Sequence, residues 1–127
     1  MQLDLSAAAM ADAPRLDRKV RASIQQNGRM SFNRSAASFM GLEKGRRVII
    51  FCQGERNLAG VVVDAEDPRG FELKESGSYP YLGLKQFLLE KNVDFQKNTI
   101  VYDITCTDSK FEDRPVFFFE RRDIIHE

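Results

Sequence analysis

The chain has 127 residues, 43% of them hydrophobic and 30% charged, and its 19 Lys and Arg residues balance its 19 Asp and Glu residues. This length allows one domain, or two very small repeats, with room for one real core. The composition is typical of a soluble globular protein. Zero net charge gives no whole-chain attraction to nucleic acid, to a membrane or to an acidic partner.

The sequence lacks the features of membrane, secreted and zinc proteins. No apolar run is long enough to cross a bilayer, and no positively charged segment precedes an apolar one at the N-terminus. We therefore expect a cytoplasmic protein. Cys52 and Cys106 have no metal-ligand spacing, and we expect both to be buried free thiols. With His126 as the one histidine, we predict no metal site and no cofactor.

Residues 1–14 are rich in Ala and other small residues, and we predict a flexible arm there, ahead of one compact domain over residues 15–127. The first strand of this domain is predicted over Leu16–Ile24. One side of it carries Val20, Ala22 and Ile24, and the other side carries Lys19, Arg21 and Ser23. This alternation predicts a half-buried strand with a basic outer face.

The segment Gln25-Gln26-Asn27-Gly28 is predicted to be a hairpin turn, because Asn-Gly is the strongest short hairpin signal. In the strand that follows, Met30 and Phe32 point to one side. Asn33 then suits the N-cap of a short helix over Arg34–Met40, whose Ala36, Phe39 and Met40 share a face. Gly41 suits the left-handed position that ends such a helix.

The rest of the chain is predicted to contain mostly strands, with one further helix. A helix is expected over Leu84–Lys91, where Leu84, Phe87 and Leu88 have helical spacing. Thr107–Arg114 is expected to be a polar turn. The predicted strands are Val48–Phe51, Leu58–Val63, Phe71–Lys74, Tyr79–Leu82 (or an extended entry to the helix), Thr99–Thr105 and Pro115–Glu120.

These elements predict an α+β protein, with a mostly antiparallel, partly barrel-like sheet and two short helices. The order strand, helix, strand, strand occurs twice, which raises the alternative of two tandem units over residues 16–63 and 71–120. Identity between the two segments is slight. Recurrence of a simple pattern in one small domain explains the order equally well.

The segment from Gly28 to Phe51 resembles the swapped-hairpin DNA-binding domains of the AbrB, MazE and MraZ type. The matching positions are Gly28-Arg29, Met30, Phe32, Phe39, Met40-Gly41-Leu42, Gly45 and Val48. The chain departs from the family pattern at Asn33, where Pro is usual, and at Arg46, where Asp is usual. The match covers about a fifth of the chain.

The resemblance implies a transcriptional regulator or antitoxin-like factor that binds duplex DNA as a symmetric homodimer. In this family, hairpins from two chains complete the barrel, and the hairpin and helix start approach the DNA. Arg29 lies at a matching position, and Arg34 follows the helix cap as a family Lys or Arg often does. Two units in one chain would resemble MraZ-like proteins and would let a monomer complete the barrel.

Charge is uneven along the chain, which is a second indication of an anionic partner. Between Arg15 and Arg47 there are nine basic residues against two acids. Basic side chains on strands can supply salt-sensitive affinity for phosphates. We therefore predict a nucleic-acid-binding site formed by Arg18, Lys19, Arg21, Arg29 and Arg34. A solvated face balanced by acids elsewhere remains the alternative.

No catalytic arrangement is visible in the sequence. The carboxylates near residues 64–67 and 108–113 lie in predicted turns, where solvation explains them, and we predict a protein that is not an enzyme. Aromatic residues including Tyr79, Tyr81 and Phe117–Phe119 could stack on single-stranded nucleic acid, but a covered core or subunit interface explains them better. The alternative function is a protein-interaction or scaffold domain with the same fold and no DNA binding.

Overall fold

A computed structural model describes residues 19–43, 45–77 and 79–122 of the chain. The arm predicted at residues 1–14 and the predicted site residue Arg18 lie outside these residues. The elements are β1 (Arg21–Ile24), β2 (Arg29–Phe32), α1 (Arg34–Met40), β3 (Arg47–Gln53), β4 (Asn57–Val63), β5 (Phe71–Glu72), β6 (Lys74–Ser76), β7 (Tyr79–Gly83), α2 (Lys85–Glu90), β8 (Ile100–Phe111) and β9 (Arg114–Arg121).

The described strands form a single antiparallel sheet in the order β5-β3-β4-β9-β8-β1-β2-β7-β6. The two strands at its ends, β5 and β6, are consecutive in the chain. The extended segment 71–76 therefore pairs with β3 through its first residues and with β7 through its last. The sheet is almost closed into a barrel, which confirms the predicted α+β class.

The β1–β2 hairpin forms where the sequence predicts it, and its turn is held by the start of α2. Gly28 has φ +84°, a left-handed conformation that suits glycine. A Cβ atom on Gly28 would lie 2.6 Å from the Cα of Lys85, and the Gly28 carbonyl accepts a hydrogen bond of 3.0 Å from the Leu84 N–H. Glycine is thus needed both for the turn and for this close approach.

The predicted caps of α1 are confirmed. The Asn33 side chain accepts a hydrogen bond of 2.8 Å from the Ala36 N–H, which satisfies one of the free donors of the first turn. Gly41 is left-handed, with φ 69°, and ends the helix as expected. Ala36 and Met40 are buried, whereas Phe39 is 46% exposed and packs edge-on against Phe117.

The core fills the inside of the barrel and consists of apolar side chains from almost every described element. Its largest fully buried members are Phe32, Phe95, Tyr102 and Phe119. A second, smaller cluster lies on the outer side of β3 and β4. There the end of the β8–β9 hairpin covers Ile49, Val61 and Val63.

Two predictions for the β8 region are wrong. The strand runs on to Phe111 instead of ending at Thr105, so the turn before β9 contains only Glu112 and Asp113, both with positive φ. The pairing of β8 with β9 shifts register between Cys106 and Lys110, which bends the hairpin so that its end can fold over β3 and β4.

Both cysteines are exposed, whereas we expected them to be buried. Each lies beyond the last buried residue of its strand, which is Ile50 in β3 and Ile104 in β8. The sequence predicts strands that end at Phe51 and Thr105, directly before the two thiols, and does not predict where the barrel core ends along each strand.

Candidate nucleic-acid interface

The outer side of β1, β2, β7 and β6 is not covered by another described element, and we call it the open face. The strand register places its outward side chains in rows, since Ser23 lies opposite Ser31, Ser31 opposite Tyr81, and Tyr81 opposite Lys74. The outward side chains described on this face are Arg21, Ser23, Arg29, Ser31, Lys74, Tyr79 and Tyr81. None of them is a carboxylate, so the face is basic and aromatic.

Arg29 is the central cation of the open face. Its guanidinium lies 4.4 Å from the centre of the Tyr81 ring, a cation–π contact. Across the strand pair it faces Gly83, whose missing side chain leaves open space beside it. No carboxylate in the described part of the chain lies within ion-pair distance of Arg29. Its donors are therefore available to an external acceptor.

A shallow cleft of about 240 Å³ lies between these side chains. It is lined by Gln25, Arg29, Ser31, Tyr79 and Tyr81. The Tyr79 side chain is 50% exposed, which is unusual for a large aromatic residue. The cleft thus combines one cation and two aromatic rings with the hydrogen-bonding groups of Gln25 and Ser31.

Lys19 and Arg34 lie at the other end of the hairpin, where Asn33 connects them. The Asn33 side chain caps α1, which begins at Arg34, and also donates a hydrogen bond to the Lys19 carbonyl. Both basic residues are exposed, and neither has a carboxylate partner among the described residues. The cap that starts the helix therefore also brings two cationic residues to one end of the hairpin.

Arg21, a predicted site residue, differs from the others. Its Nε donates to a carboxylate oxygen of Asp103 on the neighbouring strand β8 at 3.1 Å, and Arg122 binds the second oxygen at 3.3 Å. Its side chain is only 27% exposed. Arg21 is thus largely neutralised within the protein and is less available to a phosphate than Arg29, Lys19 or Arg34.

Sequence reasoning missed Lys74 and did not separate the two tyrosines from the buried phenylalanines. Phe117 and Phe119 are buried, as a covered strand requires, but Tyr79 and Tyr81 lie on the outer side. The period-two alternation of Tyr79–Gly83, with Leu82 inward, was the signal that could have separated them. No local pattern in the sequence marks Lys74, because it reaches this face only through the pairing of β6 with β7.

A larger cavity of about 460 Å³ lies elsewhere, where the β3–β4 turn approaches the end of α2. Its lining includes Cys52, Tyr102 and Arg121. Burial raises the pKa of the Tyr102 hydroxyl, so this group stays neutral at physiological pH. No hydrogen bond joins these three side chains to one another in the described structure, and they form no nucleophile–base pair.

The described residues offer neither a metal site nor a membrane-spanning helix. No three or more His, Cys, Asp or Glu side chains among them are grouped so that they could hold a metal ion. None of the helices in the described ranges has the length and apolar character needed to cross a membrane. In comparisons with protein-family models, curated proteins and solved structures, the chain matches none of them.

Proposed function

We propose that the protein binds duplex DNA through the open face and catalyses no reaction, as a regulator or antitoxin-like factor of the AbrB type. The observation that carries the proposal is the charge of this face. Arg29 and Lys74 are exposed on this face and Lys19 and Arg34 at the Asn33 end of the hairpin beside it, all without carboxylate partners in the described structure. Unpaired cations on a sheet surface supply the phosphate contacts that dominate affinity for DNA.

The spacing of these cations suits a duplex. Arg29 and the capping residue Asn33 are four residues apart on one extended strand, which separates the two cationic ends of the hairpin by about 13 Å. Along a duplex this distance spans about four phosphates of one strand. The rigid hairpin could therefore contact two separate phosphates without reordering its backbone, which lowers the entropic cost of binding.

The test is fluorescence anisotropy of a labelled mixed-sequence duplex, titrated with the protein at about 50 and 200 mM salt. About four phosphate contacts predict that affinity falls on the order of a hundredfold between these conditions. Arg29→Gln combined with Arg34→Gln removes two of the contacts. The negative slope of log affinity against log salt concentration should therefore become shallower by about two.

The matched control is Lys91→Gln combined with Lys110→Gln, which removes the same charge from two exposed residues outside the open face. This variant should bind as the native protein does. Equal losses in the two double variants would show that only net charge matters. Failure to bind even at the lower salt concentration would overturn the proposal.

We also propose that the chain contains the two tandem units indicated by its sequence. In these units β1 corresponds to segment 71–76, β2 to β7, β3 to β8 and β4 to β9. The strand pairing supports this correspondence, because β2 pairs with its counterpart β7 and β4 with its counterpart β9. In the same way, β1 pairs with β8, and segment 71–76 pairs with β3. Segment 71–76 also links the two edges of the sheet within one chain. The homodimer implied by the family resemblance is therefore not needed to complete the barrel, and light scattering of the purified protein would give its mass in solution.

A protein-interaction domain is the second candidate function. The observation that favours it is the exposure of large side chains, since Tyr79 is 50% and Phe39 46% exposed. Aromatic residues, tyrosine above all, are enriched at protein interfaces, and a basic face suits an acidic partner. This function predicts no binding to the duplex at either salt concentration and loss of partner binding on Tyr79→Ala.

A further inference from the structure

The cleft beside Arg29 has the chemistry of a site for a planar ring as well as for a phosphate. The Arg29 guanidinium lies over the Tyr81 ring at 4.4 Å, and Arg29 and the half-exposed Tyr79 both line the cleft. Nucleic-acid bases stack on tyrosine rings and on guanidinium planes, and such stacking tolerates any base. A fully paired duplex offers no free base face to these groups.

The spacing of the two tyrosines also suits a single strand. Tyr79 and Tyr81 are two residues apart on the same face of β7, so their side chains leave the strand about 7 Å from each other. Gln25 and Ser31 line the same cleft and can both donate and accept hydrogen bonds at the edge of a base. Lys74, directly opposite Tyr81, supplies a cation for the adjoining phosphate.

We infer that this cleft stacks an unpaired base, so that the protein prefers DNA in which a duplex adjoins a single-stranded segment. The inference rests on the proposed function, because the cations hold the phosphates of the DNA while the rings of the cleft take the base. Arg29 lies at the turn end of β2, opposite Gly83, and Tyr81 lies opposite Ser31, so Tyr79 lies toward the Asn33 end, where Lys19 and Arg34 are found.

The experiment compares three labelled probes by anisotropy at about 50 mM salt: a blunt duplex, the same duplex with a short dT overhang, and the same duplex with an abasic overhang. The abasic probe carries the same added phosphates without bases. We expect the dT overhang to bind about tenfold more tightly than the abasic one, the contribution of one stacked base.

Two matched variants assign this preference to the cleft. Tyr79→Leu combined with Tyr81→Leu removes both rings and should abolish the difference between the dT and abasic probes. Tyr79→Phe combined with Tyr81→Phe keeps the rings and should retain the difference. Thermal unfolding establishes that each variant is folded. If the double Leu variant is not folded, Tyr79→Leu alone can be used, because Tyr79 is half exposed and outside the core. This single variant should still reduce the preference for the dT probe over the abasic probe several-fold.

The outcomes separate the inference from the proposed function. Binding of the blunt duplex with no gain from the dT overhang would overturn the inference and leave the proposed function standing. A gain that persists in the folded Leu variants would also overturn it, because the base would then bind elsewhere. No binding to any of the three probes would overturn both.

Discussion

The outer surface of the barrel has two contrasting regions, one covered by another part of the protein and one left open. The outer side of β3 and β4 carries Ile49, Val61 and Val63, and the end of the β8–β9 hairpin covers it with Phe111 and Val116. The open face carries Ser, Arg, Lys and Tyr side chains, and no described element covers it. Apolar outward residues are therefore buried by the protein itself, whereas the aromatic residues of the open face remain available.

Each region contains an arginine against an aromatic ring, and the two pairs differ in their other partners. Arg69 lies 5.4 Å from the centre of the Phe111 ring, and it also binds Asp67 and Glu112, each at 2.7 Å. Arg29 lies 4.4 Å from the Tyr81 ring and has no carboxylate partner in the described structure. The carboxylates make Arg69 part of the hairpin attachment, while Arg29 keeps its donors free.

The comparison shows that the partners of an arginine, more than its exposure, indicate its role. Arg114 supports this view, because it binds Asp64 at 2.9 Å and a β4 carbonyl at 3.3 Å and thereby holds the hairpin end in place. Exposed ion pairs of this kind contribute about 0–1 kcal/mol each, but several together fix one geometry. A cation without carboxylate partners keeps its hydrogen-bond donors for an external acceptor, which makes it a candidate for binding.

The largest effect on stability is expected from glycine substitutions in the turns of the β1–β2 and β3–β4 hairpins. Gly28 and Gly54 are both left-handed, but a Cβ on Gly28 would meet the backbone of Lys85 at 2.6 Å, while a Cβ on Gly54 would meet nothing within 4 Å. Gly28→Ala should lower the free energy of unfolding by about 3 kcal/mol, and Gly54→Ala by about 1–2 kcal/mol, the cost of the left-handed residue alone.

Urea unfolding of both variants measures this difference through the midpoint at a constant slope. Because Gly28 adjoins Arg29, its variant should also weaken the proposed binding to DNA, and the Gly54 variant should not. Equal destabilisation of the two would mean that α2 does not hold the β1–β2 turn in place.

A smaller effect is expected from Asp103, which neutralises Arg21 beside the open face. Asp103→Asn should release Arg21 and Arg122 and tighten duplex binding several-fold at about 50 mM salt, since one or two more phosphate contacts become available. The partly exposed ion pairs should cost less than about 1 kcal/mol of stability when they are lost. The measurement is anisotropy with the duplex probe.

Asp108→Asn is the matched control, because Asp108 is exposed on the same strand β8 but outside these ion pairs. Both variants change the net charge by the same amount. A similar gain in affinity for both would show that Arg21 gains no phosphate contact when its carboxylate is removed.

Local chemistry made much of the fold predictable. Asn33, Gly41 and the Asn27-Gly28 turn act through contacts within a few residues, and the structure confirms all three. The composition of the open face depends instead on strand pairing that is distant in sequence. Nothing near Lys74 indicates that it lies opposite Tyr81, and nothing near Phe111 indicates that it covers β3. The sequence therefore predicted the part of the candidate site that belongs to the β1–β2 hairpin, but not the part contributed by β6 and β7.

The smallest effect on stability is expected from the carboxylates that bind Arg69, and it appears only at acidic pH. Hydrogen bonds from the Arg69 side chain, at 3.0 and 2.7 Å, lower the pKa of Asp67 from its ordinary value near 3.8 to about 2. Because the folded pKa is the lower one, this interaction stabilises the fold fully above pH 4 and is lost as the pH falls toward 2.

Asp67→Asn should therefore flatten the dependence of stability on pH between about 4 and 2, measured by urea unfolding at each pH. Arg69→Ala should return the Asp67 titration, followed by the NMR shift of its carboxyl carbon, toward the ordinary value. Arg29→Ala should leave that titration unchanged, because Arg29 has no carboxylate partner in the described structure. If Arg29→Ala moved it as well, the two arginines would be coupled through the general field of the protein, and the distinction between a structural and an available arginine would lose its basis.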